Sequence, residues 1–257
     1  MPSDSTTVLH HIVAILDCFS ANQPELGVRE VARLANVSSS TAGRLMAEMK
    51  QIGILQQNSN TRGYSLGSKL LAWSGVYMDT LDLRSVALPY MEDLRRSTSE
   101  TVTLYLLDGN ERLCVERMES RQGVRMVSRV GQRLALYAGS AGKAILAFLT
   151  EEQLNTILNS SNMKAFTANT IIDIAALRSE LEKIKQQGYS VSHGEWILEA
   201  SGVAAPILRK GGEVVGALSI SGPSSRFTPE KIQEYADQIV LAAGQISRYF
   251  GFQPIME

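Results

Sequence analysis

The stretch Val28-Arg29-Glu30-Val31-Ala32-Arg33-Leu34-Ala35, the break Asn36-Val37, and then Ser38-Ser39-Ser40-Thr41-Ala42-Gly43-Arg44-Leu45-Met46 decide the fold of the N-terminal part. Apolar residues at 28, 31, 32 and 35 recur at helical spacing. Asn36-Val37 ends that pattern, and Ser38 is a good N-cap for a second helix. Ala42, Leu45, Met49 and Ile52 share one face of it, leaving Ser39, Ser40, Gly43, Arg44 and Ala47 largely on the other. Short hydroxyls, a glycine and one arginine let a helix approach a crowded groove closely. Gly53 follows at the position that stops a helix. Ile54-Leu55 then starts a strand, Asn58 to Gly63 is rich in turn residues, and Tyr64-Ser65-Leu66-Gly67 returns. The pattern is a helix-turn-helix followed by a wing, spanning residues 8–67 once a first helix is added.

Working outward, Leu9, Ile12, Leu16 and Phe19 are expected on the core side of that first helix, Val8 to Phe19. Residues 68–82 read as a linker helix whose apolar residues (Leu70, Leu71, Trp73, Val76, Tyr77) fall on several sides. Such a helix is covered either by its own domain or by a partner subunit. A helix is expected over Arg84–Ser97, with Pro89 in its first turn. Strands are expected at Thr101–Leu107, Arg112–Met118, Gly123–Val130 and Leu134–Tyr137, and again at Tyr189–Val191, Val203–Leu208 and Val214–Ser221. Helices are expected at Ala141–Leu149, Glu151–Leu158, Ala175–Gln187 and Thr228–Phe250, the last with Pro229 at its first position. Hairpin-like turns dominate the strand connections, so residues 83–253 read as an α+β domain built on an antiparallel sheet.

Three segments together resemble the isocitrate-lyase-regulator (IclR) family of bacterial transcription factors. They are Val28–Ala32 with Ser39–Met46, then Gly53-Ile54-Leu55 with Tyr64–Gly67, and Gly131–Ala144 in the second half. The resemblance implies a winged helix-turn-helix, a linker helix on which dimers are built, and a C-terminal domain like GAF and PAS sensor domains. It further implies an effector held against the sheet by positions matching Ala141, Gly142, His193, Gly202, Ser219 and Ser221, with apolar walls near Val124 and Met126. The family often carries an acidic residue where His193 stands and an Ile- or Cys-like residue at Gly202, so the effector here need not be that of better-known members.

Read physically, a strand ends near Ala138 and a helix opens at Ser140-Ala141. Its small residues leave the first-turn N–H groups open to a carboxylate, although Ala141 and Gly142 equally permit close helix–sheet packing. The stretch is not a phosphate-binding P-loop: Tyr137 stands where the first glycine belongs, and Ala144 where Ser or Thr should follow Lys143. Ser219 and Ser221 share a strand face with Ala217, and buried hydroxyls need partners that a ligand oxygen could supply.

The 257 residues, 44% apolar with 20% charged, are enough for two modest domains. Mean hydropathy is near zero. No apolar run approaches a membrane span and the N-terminus lacks a leader pattern, so a cytoplasmic location without membrane contact is expected. Two cysteines, Cys18 and Cys114, read as buried thiols. Three histidines (His10, His11, His193) form no metal-ligand spacing, and no cofactor or metal is expected. Residues 1–67 hold five basic side chains (Arg29, Arg33, Arg44, Lys50, Arg62) and five acidic ones (Asp4, Asp17, Glu25, Glu30, Glu48), a balance of zero. One copy would hold phosphates weakly, so a homodimer or homotetramer is expected to act on double-stranded operator DNA.

The DNA-facing set expected from sequence is Ser39, Ser40, Gly43 and Arg44 in the major groove, with Arg44 on a guanine edge or a phosphate, and Thr41, Lys50 and Arg62 on phosphates. An enzyme would need a trio such as His193, Glu195 and Ser140 or Ser201. Neither serine sits in a G-x-S-x-G elbow, and a non-enzyme is expected. A C-terminal half that only oligomerises is the other alternative. The expectation carried forward is an acid-responsive repressor.

Overall fold

The computed structural model describes residues 4–80, 82–122, 129–160 and 163–253, and its contacts divide the chain into two units at residue 80. In the first unit run α1 (Asp4–Leu16), α2 (Val28–Leu34), α3 (Ser39–Gln51), the hairpin β1 (Leu55–Gln57) and β2 (Tyr64–Leu66), and α4 (Lys69–Asp79). Asn36 turns the chain between α2 and α3 with φ of 53°, which asparagine tolerates. Gly53 ends α3 at φ of 81°, a left-handed position suited to glycine. The hairpin pairs Leu55 with Leu66 and Gln57 with Tyr64, and Leu26 bridges to Tyr64.

The core of this unit gathers Ile15, Leu26, Val31, Ala42, Leu45, Met46, Met49 and Leu55. Two expectations change. Leu9 is 65% exposed while Ile15 is fully buried, because the first helical turns of α1 extend past the core and only its C-terminal end packs. Ile52, 54% exposed, sits beyond the last turn of α3 and faces out. Along α4 only Leu70 packs on this core, and Leu71, Trp73, Val76 and Tyr77 are exposed.

The second unit contains α5 (Asp82–Thr98), β3 (Thr101–Asp108), β4 (Glu111–Met118), β5 (Arg133–Ala135), α6 (Ser140–Leu146), α7 (Glu151–Ser160), α8 (Ile174–Gln187), β6 (Ser190–His193), β7 (Ala200–Leu208), β8 (Val214–Pro223) and α9 (Pro229–Tyr249). The six strands form one antiparallel sheet in the order β5-β4-β3-β8-β7-β6. The fold is α+β, as expected. Pro89 is not in a first turn: α5 begins at Asp82 and carries the proline inside. The carbonyl four residues earlier, on Ser85, loses its helical donor, and both residues are exposed. The strand expected at Gly123–Val130 lies, up to residue 128, outside the described residues.

Strand alternation divides the interior into two cores. Val102, Leu104, Val115, Val203, Leu218 and Ile220 face α5 and α9. Tyr105, Cys114, Ala204 and Ala217 face α6, α7 and α8. On that second side, sheet register places Thr103 opposite Ser219, Gly202 opposite Ser221 and Ser192 opposite Gly202. Small and hydroxylated residues therefore line up across four neighbouring strands, leaving the helices room to stand off the sheet.

Candidate functional site

Two surfaces carry chemistry, one in each unit. On α3, Ser38 caps the helix by accepting from the Thr41 amide at 3.1 Å. Its hydroxyl also lies 3.0 Å from Ser40 Oγ and 2.8 Å from Thr41 Oγ1. Ser39, Ser40, Arg44, Ala47 and Glu48 form the exposed row. Gly43 stands off that row: a side chain there would meet Val28 Cγ1 at 3.5 Å, so it lies where α3 crosses α2. Arg44 donates to Glu48 one turn on at 2.8 Å. Lys50 reaches the base of the hairpin, donating to Gln57 Oε1 at 2.9 Å, and Gln57 in turn donates to the Arg62 carbonyl at 2.9 Å. The hairpin tip is held by Asn58, whose Oδ1 accepts from the Asn60 amide at 3.0 Å, and by Glu25, which takes the Thr61 hydroxyl and, at 3.2 Å, the Asn58 amide. Arg62 sits exposed at that tip with φ of 63°. Glu48 is the member of this surface that the sequence pattern passed over.

The second surface is a cavity of about 100 Å³ between the sheet and α6. Of the expected residues, Ala141, Gly202, Ser219 and Ser221 line it. Gly142 stands behind the wall, where an added Cβ would come within 2.2 Å of the Leu136 carbonyl and 2.3 Å of Arg112 Nη1. His193 lies elsewhere, beside Asn169, Pro229 and Ile232, with Nδ1 3.0 Å from Ser201 Oγ. The cavity position on β6 belongs to Ser192, because consecutive strand residues point to opposite faces. Val124 and Met126 lie outside the described residues. At Gly202 a Cβ would stand 2.9 Å from Ser140 Oγ, so the missing side chain keeps that edge open.

At the helix start expected to receive a ligand carboxylate, one amide, that of the N-cap Gly139, is taken by the chain's own Glu195, while Ser140 and Ala141 of the first turn line the cavity. Glu195 Oε2 accepts from the Gly139 amide at 2.9 Å, and its Oε1 accepts from Lys143 Nζ at 2.6 Å. Lys143 is 1% exposed and also meets Glu180 at 3.1 Å. The trio of His193, Glu195 and a serine is thus not assembled: the histidine pairs with Ser201, and the carboxylate is committed to Lys143.

The charged group that does line the cavity is Arg112, 4% exposed. Its Nη1 donates to the Ala138 carbonyl at 2.8 Å and to that of Ala135. The guanidinium carbon lies 5.3 Å from the Tyr105 ring centre. Burial pushes its pKa below the ordinary arginine value, and the neighbouring Tyr105 opposes that shift. The apolar part of the wall includes Leu134, Trp196 and Ile197, and Gln132, Ser140 and Ser201 add polar groups; Phe166 packs on Trp196 at 4.0 Å between ring centres. Among the described residues no group of His, Cys, Asp and Glu could hold a metal ion, and no helix is long and apolar enough to cross a membrane.

Comparison with known proteins agrees with this architecture. The IclR helix-turn-helix domain matches residues 8–59, and the bacterial transcriptional regulator IclR C-terminal domain matches residues 75–248. The chain is 32% identical to the HTH-type transcriptional regulator KipR of Bacillus subtilis (strain 168), over 98% of this chain and 100% of that protein. It is 31% identical to the HTH-type transcriptional repressor AllR of Escherichia coli (strain K12), over 94% and 89%. The Thermotoga maritima IclR structure superposes with a TM-score of 0.79 at 34% identity, covering 96% of this chain and 100% of that one. An IclR homolog from Microbacterium hydrocarbonoxydans complexed with 4-hydroxybenzoate superposes with a TM-score of 0.80 at 30% identity, covering 94% and 99%. The chain belongs to the IclR family of DNA-binding bacterial transcriptional regulators.

Proposed function

We propose that this chain represses transcription by binding a specific operator through α3 and the hairpin, and that a small organic acid bound in the sheet cavity modulates that binding. Ser39, Ser40 and Arg44 enter the major groove, Gly43 lets α2 and α3 cross closely, and Thr41, Lys50 and Arg62 stand near phosphates. Ala141, Ser192, Gly202, Ser219 and Ser221 surround the effector. The single observation that carries the reading is the cavity itself, a polar-floored, aromatic-walled space on a sheet whose other positions are filled by aliphatic core. The bound 4-hydroxybenzoate of the Microbacterium homolog supports an acid as the class of ligand, and the name of AllR supports repression.

The protein acts as a homodimer or homotetramer, because a zero-charge reading unit gains affinity from a second copy on the same duplex. The exposed apolar residues of α4 and the outer residues of α1 (Leu9 and Val13) supply area for that association. Domains divide at residues 8–67, 68–82 and 83–253. Selection of binding sites from random duplexes, followed by fluorescence anisotropy on the selected operator with and without small acids, tests the whole reading. The expected result is nanomolar-range operator binding shifted by at least one acid. Binding that no acid changes would leave the C-terminal unit with oligomerisation alone.

A further inference from the structure

We propose that Arg112 is the counter-charge of the cavity, so that the site selects a small monoanionic acid and holds its carboxylate at the β4 end of the sheet; this rests on the sensor reading above. Lys143 is answered by two carboxylates, Glu195 at 2.6 Å and Glu180 at 3.1 Å, while Arg112 feels Glu195 only through space. Glu195 is committed to Lys143 and to the Gly139 amide. Among the described residues no carboxylate lies within ion-pair distance of Arg112. A buried guanidinium with no carboxylate in direct contact is costly, and that cost falls when an anion arrives.

Its donors are only partly used. Nη1 serves the Ala135 and Ala138 carbonyls and Tyr105 takes a further bond; Nε, without a partner among the described residues, is sealed from the cavity, so the ligand meets the Nη edge. Those backbone bonds fix the guanidinium plane, so a ligand meets a preorganised donor instead of a mobile side chain. Gly139 and Gly142 leave room beside it: a Cβ at Gly139 would come within 3.3 Å of Nη2, and one at Gly142 within 2.3 Å of Nη1. Across the sheet, Ser192, Ser219 and Ser221 offer hydroxyls to a second polar group of the ligand, and Leu134 and Trp196 flank its body. At roughly 10–15 Å³ per water-sized site, the 100 Å³ of space corresponds to a ligand of roughly seven to ten non-hydrogen atoms. A hydroxy- or oxo-acid, or a benzoate, meets these demands.

The test uses Trp196 as reporter in a full-length Trp73→Phe background, since the chain has two tryptophans. Fluorescence and calorimetric titrations compare benzoate, 4-hydroxybenzoate, pyruvate and lactate with benzamide, 4-hydroxybenzamide, pyruvamide and lactamide. The expected result is saturable binding of at least one acid, with its amide roughly 10- to 100-fold weaker, the range of a charge-assisted hydrogen bond. Arg112→Gln should weaken the acid by a similar factor and bring acid and amide together, while Arg112→Lys recovers part of the difference. Equal affinity for acid and amide in the unsubstituted cavity overturns the inference alone. So does an Arg112→Gln protein with unchanged circular dichroism that binds the acid as before. Should Arg112→Gln fail to fold, the acid-to-amide ratio of the parent protein decides. Neither acids nor amides binding up to their solubility would overturn the sensor reading beneath it.

Discussion

Arg44 on α3 and Arg112 on β4 carry the same guanidinium in opposite surroundings. Arg44 keeps 58% of its side chain in water and shares an exposed ion pair with Glu48. Arg112 is 4% exposed, with backbone carbonyls and a tyrosine for neighbours. In water a charge is cheap to hold and easily re-partnered, which suits the proposed exchange of Glu48 for a base or phosphate. In the interior a charge is costly unless answered, which makes its satisfaction a signal. In the proposed reading, one unit offers mobile contacts at its surface and the other holds an incomplete one inside.

The largest effect that sharpens this contrast concerns the buried pair. Lys143→Met leaves Glu195 without its counter-charge and is expected to cost about 3–5 kcal/mol in urea unfolding. The double variant Lys143→Met, Glu195→Gln should recover most of it. A loss under about 1 kcal/mol in the single variant would show that water reaches the pair and that the interior is wetter than its burial implies.

At the surface, Arg44→Ala is expected to lower operator affinity by roughly 1–3 kcal/mol while leaving unfolding nearly unchanged. Unaltered anisotropy curves would remove Arg44 from the interface. Ser38→Ala takes away the cap of α3 and should cost about 1 kcal/mol of stability of the N-terminal unit, read from its own thermal transition. An unchanged transition would mean that the hydroxyl contacts with Ser40 and Thr41 do not stabilise the turn. Smallest of all, Glu48→Gln breaks an exposed pair worth about 0.3–0.5 kcal/mol. It frees Arg44 and removes a negative charge from the reading face, so binding to random duplex should rise about twofold at low salt. A fall instead would make Glu48 a base-reading group, accepting from cytosine N4.

The same contrast explains what could be read before the fold was known. The reading surface lies on one helix and one hairpin, where spacing alone separates buried Ala42, Leu45 and Met49 from exposed Ser39, Ser40 and Arg44. Gly53 was legible too, since helix ends repeat a few local devices. The cavity is assembled from β5, β4, β3, β8, β7, β6 and α6, so no local pattern contains it. Arg112 sits in an alternating strand and looks like a solvent-side residue there. It becomes an interior one only because the carbonyl of Ala138, 26 residues on, folds over it. His193 and Ser192 differ by one place in a strand, and a shift of one exchanges the two faces of a sheet. One donor at the start of α6, the Gly139 amide, is held by Glu195, 56 residues beyond it, a partner that local sequence does not name.

Operator anisotropy measured on the parent protein and on Arg112→Gln, each with and without the acid that binds best, tests the central claim most directly. Equal operator affinity of the two proteins without acid, an acid-induced shift in the parent and loss of that shift in the variant at the same acid concentration are expected. An acid that saturates the cavity yet leaves operator binding unmoved in the parent would contradict it.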